Sequence, residues 1–342
     1  MLHLAAKPGA TAPWPSWVPP AAITAWQGQG SESAWVHQVD AAQAAVAGSH
    51  VAIATGTAAG KSLAYTMPLV AAVMNDEGST LSNPCGLYLA PTKALANDQA
   101  RAWRNLALPG IREAVVDGDS NADERAWARR HANVVLTNPD MLHYSLLPGH
   151  ERWSRLLRNL RYIVVDEAHA YRGVFGAHVS LVLRRLRRLA EHHRGSPVVI
   201  AASATSGAPE RSVARLIGAP VTAITEDSSP TPERTVVLWQ SPMDDGGLSA
   251  TRDAAALTSA AVHEGCQVLT FLRSRRAVEY VASLVREQQA EDASTPSRSD
   301  TIAAYRGGFL AEERRALEDG LRSGSIRALA TTNAVSYTHL RA

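Results

Sequence analysis

The amino-acid sequence predicts an α/β protein: a doubly wound parallel sheet with helices on both faces, followed by a second, smaller lobe of the same kind. Three observations carry this. The apolar runs are short and unbroken rather than alternating; helical patterns separate them; and the whole series repeats after a Pro/Ser/Thr-rich break. Strands buried on both faces read this way, because each side must pack against a helix layer. The candidate strands of the first lobe are 51–55 (VAIAT), 86–90 (GLYLA), 113–117 (EAVVD), 133–137 (NVVLT), 161–166 (RYIVVD) and 197–203 (PVVIAAS). Helical patterns fall between them, as at 61–74, 92–106 and 180–193. The break at 225–234 reads as a linker. Beyond it, strands are expected at 235–239, 267–272, 301–305 and 326–332. Residues 1–30, rich in Pro, Ala and Trp, read as an extension packed loosely on the first lobe, which runs over 31–224; the partial second lobe covers 235–342. Ligands of doubly wound sheets sit at the carboxyl ends of the strands.

Composition narrows the function classes. Of 342 residues, 46% are apolar and 19% charged, enough to bury a core. The formal net charge of +2 is too small to argue for nucleic acid from bulk electrostatics, so such a claim must rest on local sites. Two cysteines, Cys85 and Cys266, have neither zinc spacing nor disulfide density and read as buried small hydrophobes in a reducing compartment. The first twenty residues lack the apolar core of a signal peptide, and no apolar run reaches the length of a membrane span, so a cytoplasmic location is expected.

The stretch Val51–Tyr65 (VAIATGTAAGKSLAY) places a loop of small residues between a strand and a helix start. Backbone N–H groups approach an anion closely only where side chains are small, and the helix N-terminus adds partial positive charge. Thr55, Gly56, Thr57, Ala58, Ala59 and Gly60 form the cradle; Lys61 reaches the outer phosphates, and Ser62 offers a hydroxyl to Mg²⁺. The strict phosphate-loop pattern asks for glycine at the first position, where Thr55 stands. Downstream, Asp166 and Glu167 end an apolar strand. A carboxylate there can hold Mg²⁺ through its waters, and its neighbour can orient or deprotonate an attacking water.

These segments belong to an ordered series. TGTAAGKS (55–62), APTKALANDQ (90–99), TNPDMLH (137–143), DEAH (166–169), SAT (203–205), FLRSRRAVEYV (271–281) and ATTNA (330–334) resemble the motifs of superfamily 2 DEAD/DEAH-box helicases, in order. In that family the first glycine of the phosphate loop is relaxed. TNPDMLHYSLLPGHERW and DEAHAYRGVFGAHVSLVLRRLRR resemble the bacterial helicases of mitomycin-repair type, related to the RecQ-like Hrq helicases. The resemblance implies two RecA-like P-loop NTPase lobes, the second incomplete, and an ATP- and Mg²⁺-dependent 3′-to-5′ translocase acting on DNA in repair.

It also implies roles. Lys61 and Ser62 hold phosphates and Mg²⁺; Asp166 holds Mg²⁺; Glu167 positions water; His169 bonds toward Ser203 or Thr205 and couples nucleotide state to lobe closure. Gln38, after His37, reads the adenine edge; a plain surface glutamine is the alternative. Pro91, Thr92, Lys93, Thr137, Asn138, Arg273 and Thr331 meet a nucleic-acid strand, with Arg275 beside Arg273; a solvated pair of arginines is the alternative for those two. Thr137-Asn138-Pro139 reads equally as a turn or helix cap. The run RRLRR (184–188) tempts a DNA-binding reading, but Val182, Leu183, Leu186 and Leu189 make an apolar stripe, so its arginines read as a solvated face. The tryptophans of the N-terminal segment read as packing groups.

The family's motif VI, Q-x-x-G-R-x-G-R, does not occur in the sequence, nor does the family's cysteine-rich zinc domain. The expectation is a chain cut short within its second lobe, with residues from about 335 foreign to it, that binds ATP and turns it over poorly. The competing expectations are an RNA helicase and a nucleotide-dependent clamp that grips a strand without moving it.

Overall fold

The structure, a computed structural model, describes residues 1–75, 83–204, 207–241, 250–291, 299–306 and 308–332. Thr205, Asn333, Ala334 and the segment from about 335 lie outside the described residues. The chain divides into two compact units, Ala5–Glu233 and a second made of Met1–Leu4 with Arg234–Ala342.

The larger unit is built on a seven-stranded sheet. In chain order the strands of the chain are β1 (Leu2–Leu4), β2 (Thr11–Ala12), β3 (Ala34–Trp35), β4 (Val51–Ala54), β5 (Cys85–Leu89), β6 (Glu113–Val115), β7 (Val134–Thr137), β8 (Leu160–Val165), β9 (Val198–Ser203), β10 (Thr222–Ile224), β11 (Arg234–Val236), β12 (Val268–Phe271), β13 (Ile302–Tyr305) and β14 (Ala328–Thr331). The large sheet runs β10-β4-β9-β8-β5-β7-β6, and every pair in it is parallel. Helices α1 (Pro20–Gly28), α2 (Val36–Val46), α3 (Lys61–Met74), α4 (Lys93–Leu106), α5 (Ala122–His131), α6 (Pro139–Met141), α7 (Ser154–Arg158), α8 (Gly173–His192) and α9 (Pro209–Ile217) flank it.

Alternate residues of each strand enter opposite cores. Ile53, Tyr88, Leu136, Val164 and Ile200 pack with α1 to α4 on one face. Ala52, Leu87, Val135, Ile163 and Val199 pack with α5 and α7 to α9 on the other. In α8, Val179, Leu183, Leu186 and Ala190 are buried, one stripe at helical spacing. Burying each leucine contributes roughly 1.5–3 kcal/mol, which fixes the face of this helix. Two of its four arginines are tied down. Arg184 donates to the Arg215 carbonyl at 2.7 Å and Arg187 to the Ile217 carbonyl at 2.9 Å. Both caps sit at the C-terminus of α9, where unpaired carbonyls favour positive charge.

The second unit holds a three-stranded parallel sheet, β12-β14-β13, with helices α10 (Ala250–His263), α11 (Arg275–Glu291) and α12 (Ala311–Ser323). Val278, Val281, Ala282 and Val285 of α11 pack on Ile302, Ala304, Ala328 and Ala330. Among the described residues no helix is long and apolar enough to cross a membrane.

Four features differ from the sequence reading. β10 was not expected; it adds to β4 in register, Thr222 opposite Val51. The strand expected at 235–239 is confined to β11 and pairs antiparallel with β1 rather than joining the parallel sheet. Residues 1–11 are exposed, but the rest of 1–30 is partly packed into the core. Val18, Ala22 and Trp26 are buried in the first core, Trp14 stacks on Trp26 at 5.5 Å, and only Met1–Leu4 belongs to the second unit. Cys85 is buried as expected, but Cys266 is exposed.

Candidate nucleotide site

The sheet order sets the site. β9 lies between β4 and β8, with Ala54 opposite Ser203 in register, and β5 follows β8, with Leu89 opposite Val165. The chain therefore leaves β4 as the phosphate loop, β9 as Ser203-Ala204, β8 as Asp166-Glu167 and β5 as Pro91-Thr92-Lys93, all at one carboxyl edge.

The loop is a strained turn closed by its own lysine. Ala58 has φ 63 and Gly60 φ 71. A side chain at Gly60 is doubly excluded, because its Cβ would stand 2.5 Å from Gln38 Nε2. Ala58 tolerates its left-handed backbone at a cost that such loops carry where function over-determines the geometry. Lys61 starts α3 and folds back, donating to the carbonyls of Thr55 at 3.1 Å and Gly56 at 2.6 Å. Burial lowers its pKa, while the carboxylates of Glu167, Asp166 and Asp227 oppose that shift. The ammonium thus feels both acidic segments at once. Ser62 is exposed at the start of α3. Thr57 and Ala59 complete the loop, with Ala59 buried and Thr57 exposed.

Thr55, which stands where the strict pattern wants glycine, is 1% exposed, and its hydroxyl has no hydrogen-bond partner. An orphaned buried hydroxyl costs free energy, and a ligand group accepting from it removes that cost.

Asp166 is buried. Tyr88 donates its hydroxyl to Oδ2, and the Glu167 N–H donates to Oδ1 at 2.9 Å. Burial raises the Asp166 pKa, opposed by these two hydrogen bonds and by Lys61. One lone pair on each oxygen remains for a cation. Glu167 takes a left-handed backbone, φ 47, which turns its side chain toward His169; Oε2 lies 3.0 Å from His169 Nδ1. Nδ1 is also 3.3 Å from the Ala204 N–H. One nitrogen cannot donate to the first and accept from the second together, so the imidazole serves one partner at a time. The shorter, charge-assisted contact to Glu167 is the stronger. The sequence reading placed this bond at Ser203 or Thr205. Ser203 ends β9, buried, and the donor facing the histidine is the backbone of Ala204.

Gln38 is buried rather than a surface residue. Its Oε1 accepts from the Trp35 N–H at 2.8 Å, and its Nε2 donates to the Gly60 carbonyl at 2.7 Å. The same side chain caps α2 and holds the phosphate loop. His37 does likewise: Nε2 lies 3.0 Å from the Ala59 carbonyl and Nδ1 2.7 Å from Ser228 Oγ. Burial lowers its pKa, so it stays neutral, donating from Nε2 and accepting at Nδ1.

Three contributors were missed in the sequence. Asp227, in the segment read as a linker, accepts from the Gly56 N–H at 3.0 Å, and a Cβ on Gly56 would meet its Oδ2 at 2.8 Å. Burial pushes its pKa up, but hydrogen bonds from the Ser229 hydroxyl and N–H and from Gly56 outweigh this and leave it below the ordinary value. Tyr88 carries the donor to Asp166. Tyr171, 7% exposed, has an unpartnered hydroxyl and feels the charges of Asp166 and Glu167. The sequence signals were a hydroxyl-tipped ring inside an apolar strand and an acidic pair, Glu226-Asp227, before Ser228-Ser229-Pro230.

The residues expected at a nucleic-acid strand are not uniformly available. Thr137 is buried and donates to the Val116 carbonyl at 2.6 Å. Asn138 accepts from the Met141 N–H at 2.9 Å, capping α6, which is the turn-and-cap reading. Thr331 is 0% exposed, its hydroxyl bonded to the Thr332 carbonyl at 2.9 Å. These three side chains serve the fold; Thr137 and Thr331 are buried, and only Asn138 is partly exposed. Thr92 caps α4; Lys93 is exposed and pairs with Asp119 at 2.8 Å; Pro91 is half-buried; Arg273 and Arg275 are exposed.

A model of the DEAD/DEAH box helicase family matches residues 35–213, more than half of the chain. The chain belongs to the DEAD/DEAH box helicase family. It is 36% identical to the ATP-dependent helicase YprA of Bacillus subtilis over 332 residues, 95% of this chain and 43% of that protein. It is 36% identical to the ATP-dependent helicase HRQ1 of Saccharomyces cerevisiae over 326 residues, 91% of this chain and 29% of that protein. Among solved structures, the DUF1998 helicase MrfA bound to DNA superposes with a TM-score of 0.90 at 34% identity, over 97% of this chain and 47% of that one. The same helicase bound to DNA and AMPPNP gives 0.89 over 97% and 46%. The chain thus spans less than half the length of these helicases. Its two parallel sheets are the RecA-like arrangement of the family.

Proposed function

We propose that this chain is the motor portion of an ATP-dependent DNA helicase, binding ATP with Mg²⁺ and coupling its hydrolysis to movement on DNA during repair. The observation that carries the reading is the meeting of Lys61 with the carboxylates of Asp166 and Glu167 beside a strained loop whose Thr55 hydroxyl has no partner. The likeness to a helicase crystallised with DNA and AMPPNP supports the choice of ligands.

The chain's own residues divide the work. Lys61 leaves the Thr55 and Gly56 carbonyls and turns to the outer phosphates, while the loop N–H groups and the start of α3 hold the anion. Ser62 and Asp166 fit a hard dication, with an exposed hydroxyl and a carboxylate keeping a lone pair on each oxygen. A dication held by these two residues would supply neutralisation of charge on the transferring phosphoryl group. Glu167 accepts the proton of the attacking water or orients it, and His169 holds that carboxylate in place. A change of His169 from Glu167 to the Ala204 N–H passes the state of the site to the segment after β9.

Titration with a fluorescent ATP analogue tests the site. Lys61→Ala abolishes binding; unchanged affinity refutes the assignment. ATPase assays with single-stranded DNA and RNA of matched length test the partner. Stimulation by DNA over RNA is expected, and stimulation by RNA alone overturns the DNA reading. Tight strand binding without turnover identifies a clamp instead.

A further inference from the structure

A second cluster of chemically capable side chains lies in the larger unit, apart from the phosphate loop. His150 opens a short 3-10 turn, His150–Trp153, after β7. His193 ends α8, at its C-cap. His150 Nδ1 stands 3.0 Å from His193 Nε2 and 3.7 Å from Glu151 Oε1. One ligand atom from each of His150, Glu151 and His193 lies within 4.8 Å of the others. The phosphate loop follows β4 at the carboxyl edge of the sheet, whereas the end of α8 leads into the start of β9 at the opposite edge.

We propose that His150, Glu151 and His193 form a binding site for a first-row transition-metal dication, with Zn²⁺ the best suited. Imidazole and carboxylate bind Zn²⁺ at about 2.0–2.2 Å, so ligand atoms around a tetrahedral ion stand roughly 3.3 Å apart. The two imidazole nitrogens already approach that separation at 3.0 Å, and a metal between them takes the place of their direct contact. The donor set, two imidazoles and one carboxylate, selects zinc-like ions over Mg²⁺ or Ca²⁺, which want oxygen alone. A water completes the fourth position.

The supports are rigid on both sides. Trp153, 3% exposed, anchors the turn that carries His150 and Glu151. After His193 the chain reverses through Arg194, φ 70, and the Gly195 N–H bonds to the Ala190 carbonyl at 2.7 Å. A Cβ on Gly195 would stand 2.2 Å from the Leu157 carbonyl, so this reversal is pressed against α7. The unpaired carbonyls at the end of α8 favour a cation there. The charged and titratable groups acting on His193 are Glu151, His150, His192 and Arg158; Arg158 is the one fixed cation among them and opposes the metal. The ring of His192 lies 5.2 Å from that of His193 and 6.1 Å from that of His150, closing the third side of the cluster. A metal here clips the turn after α6 to the end of α8.

Isothermal titration of the full chain with ZnCl₂, after EDTA treatment, tests the site. Uptake of a single Zn²⁺ is expected, with a melting temperature that rises with Zn²⁺ concentration. His150→Asn and His193→Asn should each weaken binding by at least the roughly 10–100-fold that loss of an outer-shell partner costs. His178→Ala, at an exposed histidine on the same helix, should not. Should these variants fail to fold, Co²⁺ added to the unaltered chain gives an independent reading, an intense visible band for a tetrahedral nitrogen and oxygen site. Absence of Zn²⁺ uptake, affinity unchanged in the His150→Asn/His193→Asn double variant, or a weak octahedral Co²⁺ spectrum each overturns the proposal.

Discussion

Asp227 shows how one side chain can serve fold and site together. Its carboxylate holds the Gly56 N–H and acts on the Lys61 ammonium, the group proposed to turn to a phosphate. Asp227→Asn keeps an acceptor for Gly56 and removes the competing charge. The expected outcome is tighter binding of a fluorescent ATP analogue; weaker binding would contradict it. Asp227→Ala removes the acceptor as well and should lower stability by about 1 kcal/mol in denaturant melts. Glu167→Gln retains a hydrogen-bond partner for His169 but cannot take a proton. Turnover should fall by roughly 10²–10⁴ with nucleotide affinity nearly unchanged, measured as kcat against KM. Lys61, Asp166 and Glu167 could be named from the sequence because each sits in a local pattern, a small-residue loop before a helix for Lys61 and the end of an apolar strand for the two acids. Asp227 and Tyr88 could not, because their partners lie 171 and 78 residues away and only the folded sheet brings them together.

At the scale of elements, burial decides more than charge. The apolar stripe of α8 was legible at 3.6-residue spacing; its arginines were read as a solvated face, whereas Arg184 and Arg187 cap the end of α9. What the pattern could not give was their targets, the carbonyl ends of α9. Leu186→Ala should cost about 2–5 kcal/mol, whereas Arg184→Ala and Arg187→Ala should each cost under about 1 kcal/mol; denaturant midpoints on the three variants check the order. The six strands read from unbroken apolar runs all enter the large sheet. β10 escaped because Thr222–Ile224 is three residues long and only partly buried. The run at 235–239 has strand character, but hydropathy does not name a partner. It pairs with Leu2–Leu4 at the other end of the sequence.

For the whole molecule, stability should depend on two neutral histidines. His37 and His50 are both lowered from 6.5, chiefly by burial. His50 accepts the Val199 N–H at 3.0 Å through Nδ1, which protonation would block. The unfolded chain therefore binds more protons than the folded one below pH 6.5. Their stabilising contribution is whole above that pH and is lost as pH falls toward the lowered folded values. Thermal melts should show a falling midpoint across this window, with a smaller fall in His50→Gln. A melting temperature flat from neutral to pH 5 would count against both assignments. Residues Ala5–Glu233 contain the loop, both carboxylates and Asp227. Expressed alone, they should bind the ATP analogue with the affinity of the full chain, and a large loss would assign part of the site to the remaining residues.

The segment that carries Asp227 also carries Ser228, gripped by His37, and passes into the other unit just beyond Glu233. The segment leaving the larger unit is thus moored to the phosphate loop before it departs. Were a ligand to shift Gly56, the pull would reach Asp227 and run along the covalent chain itself.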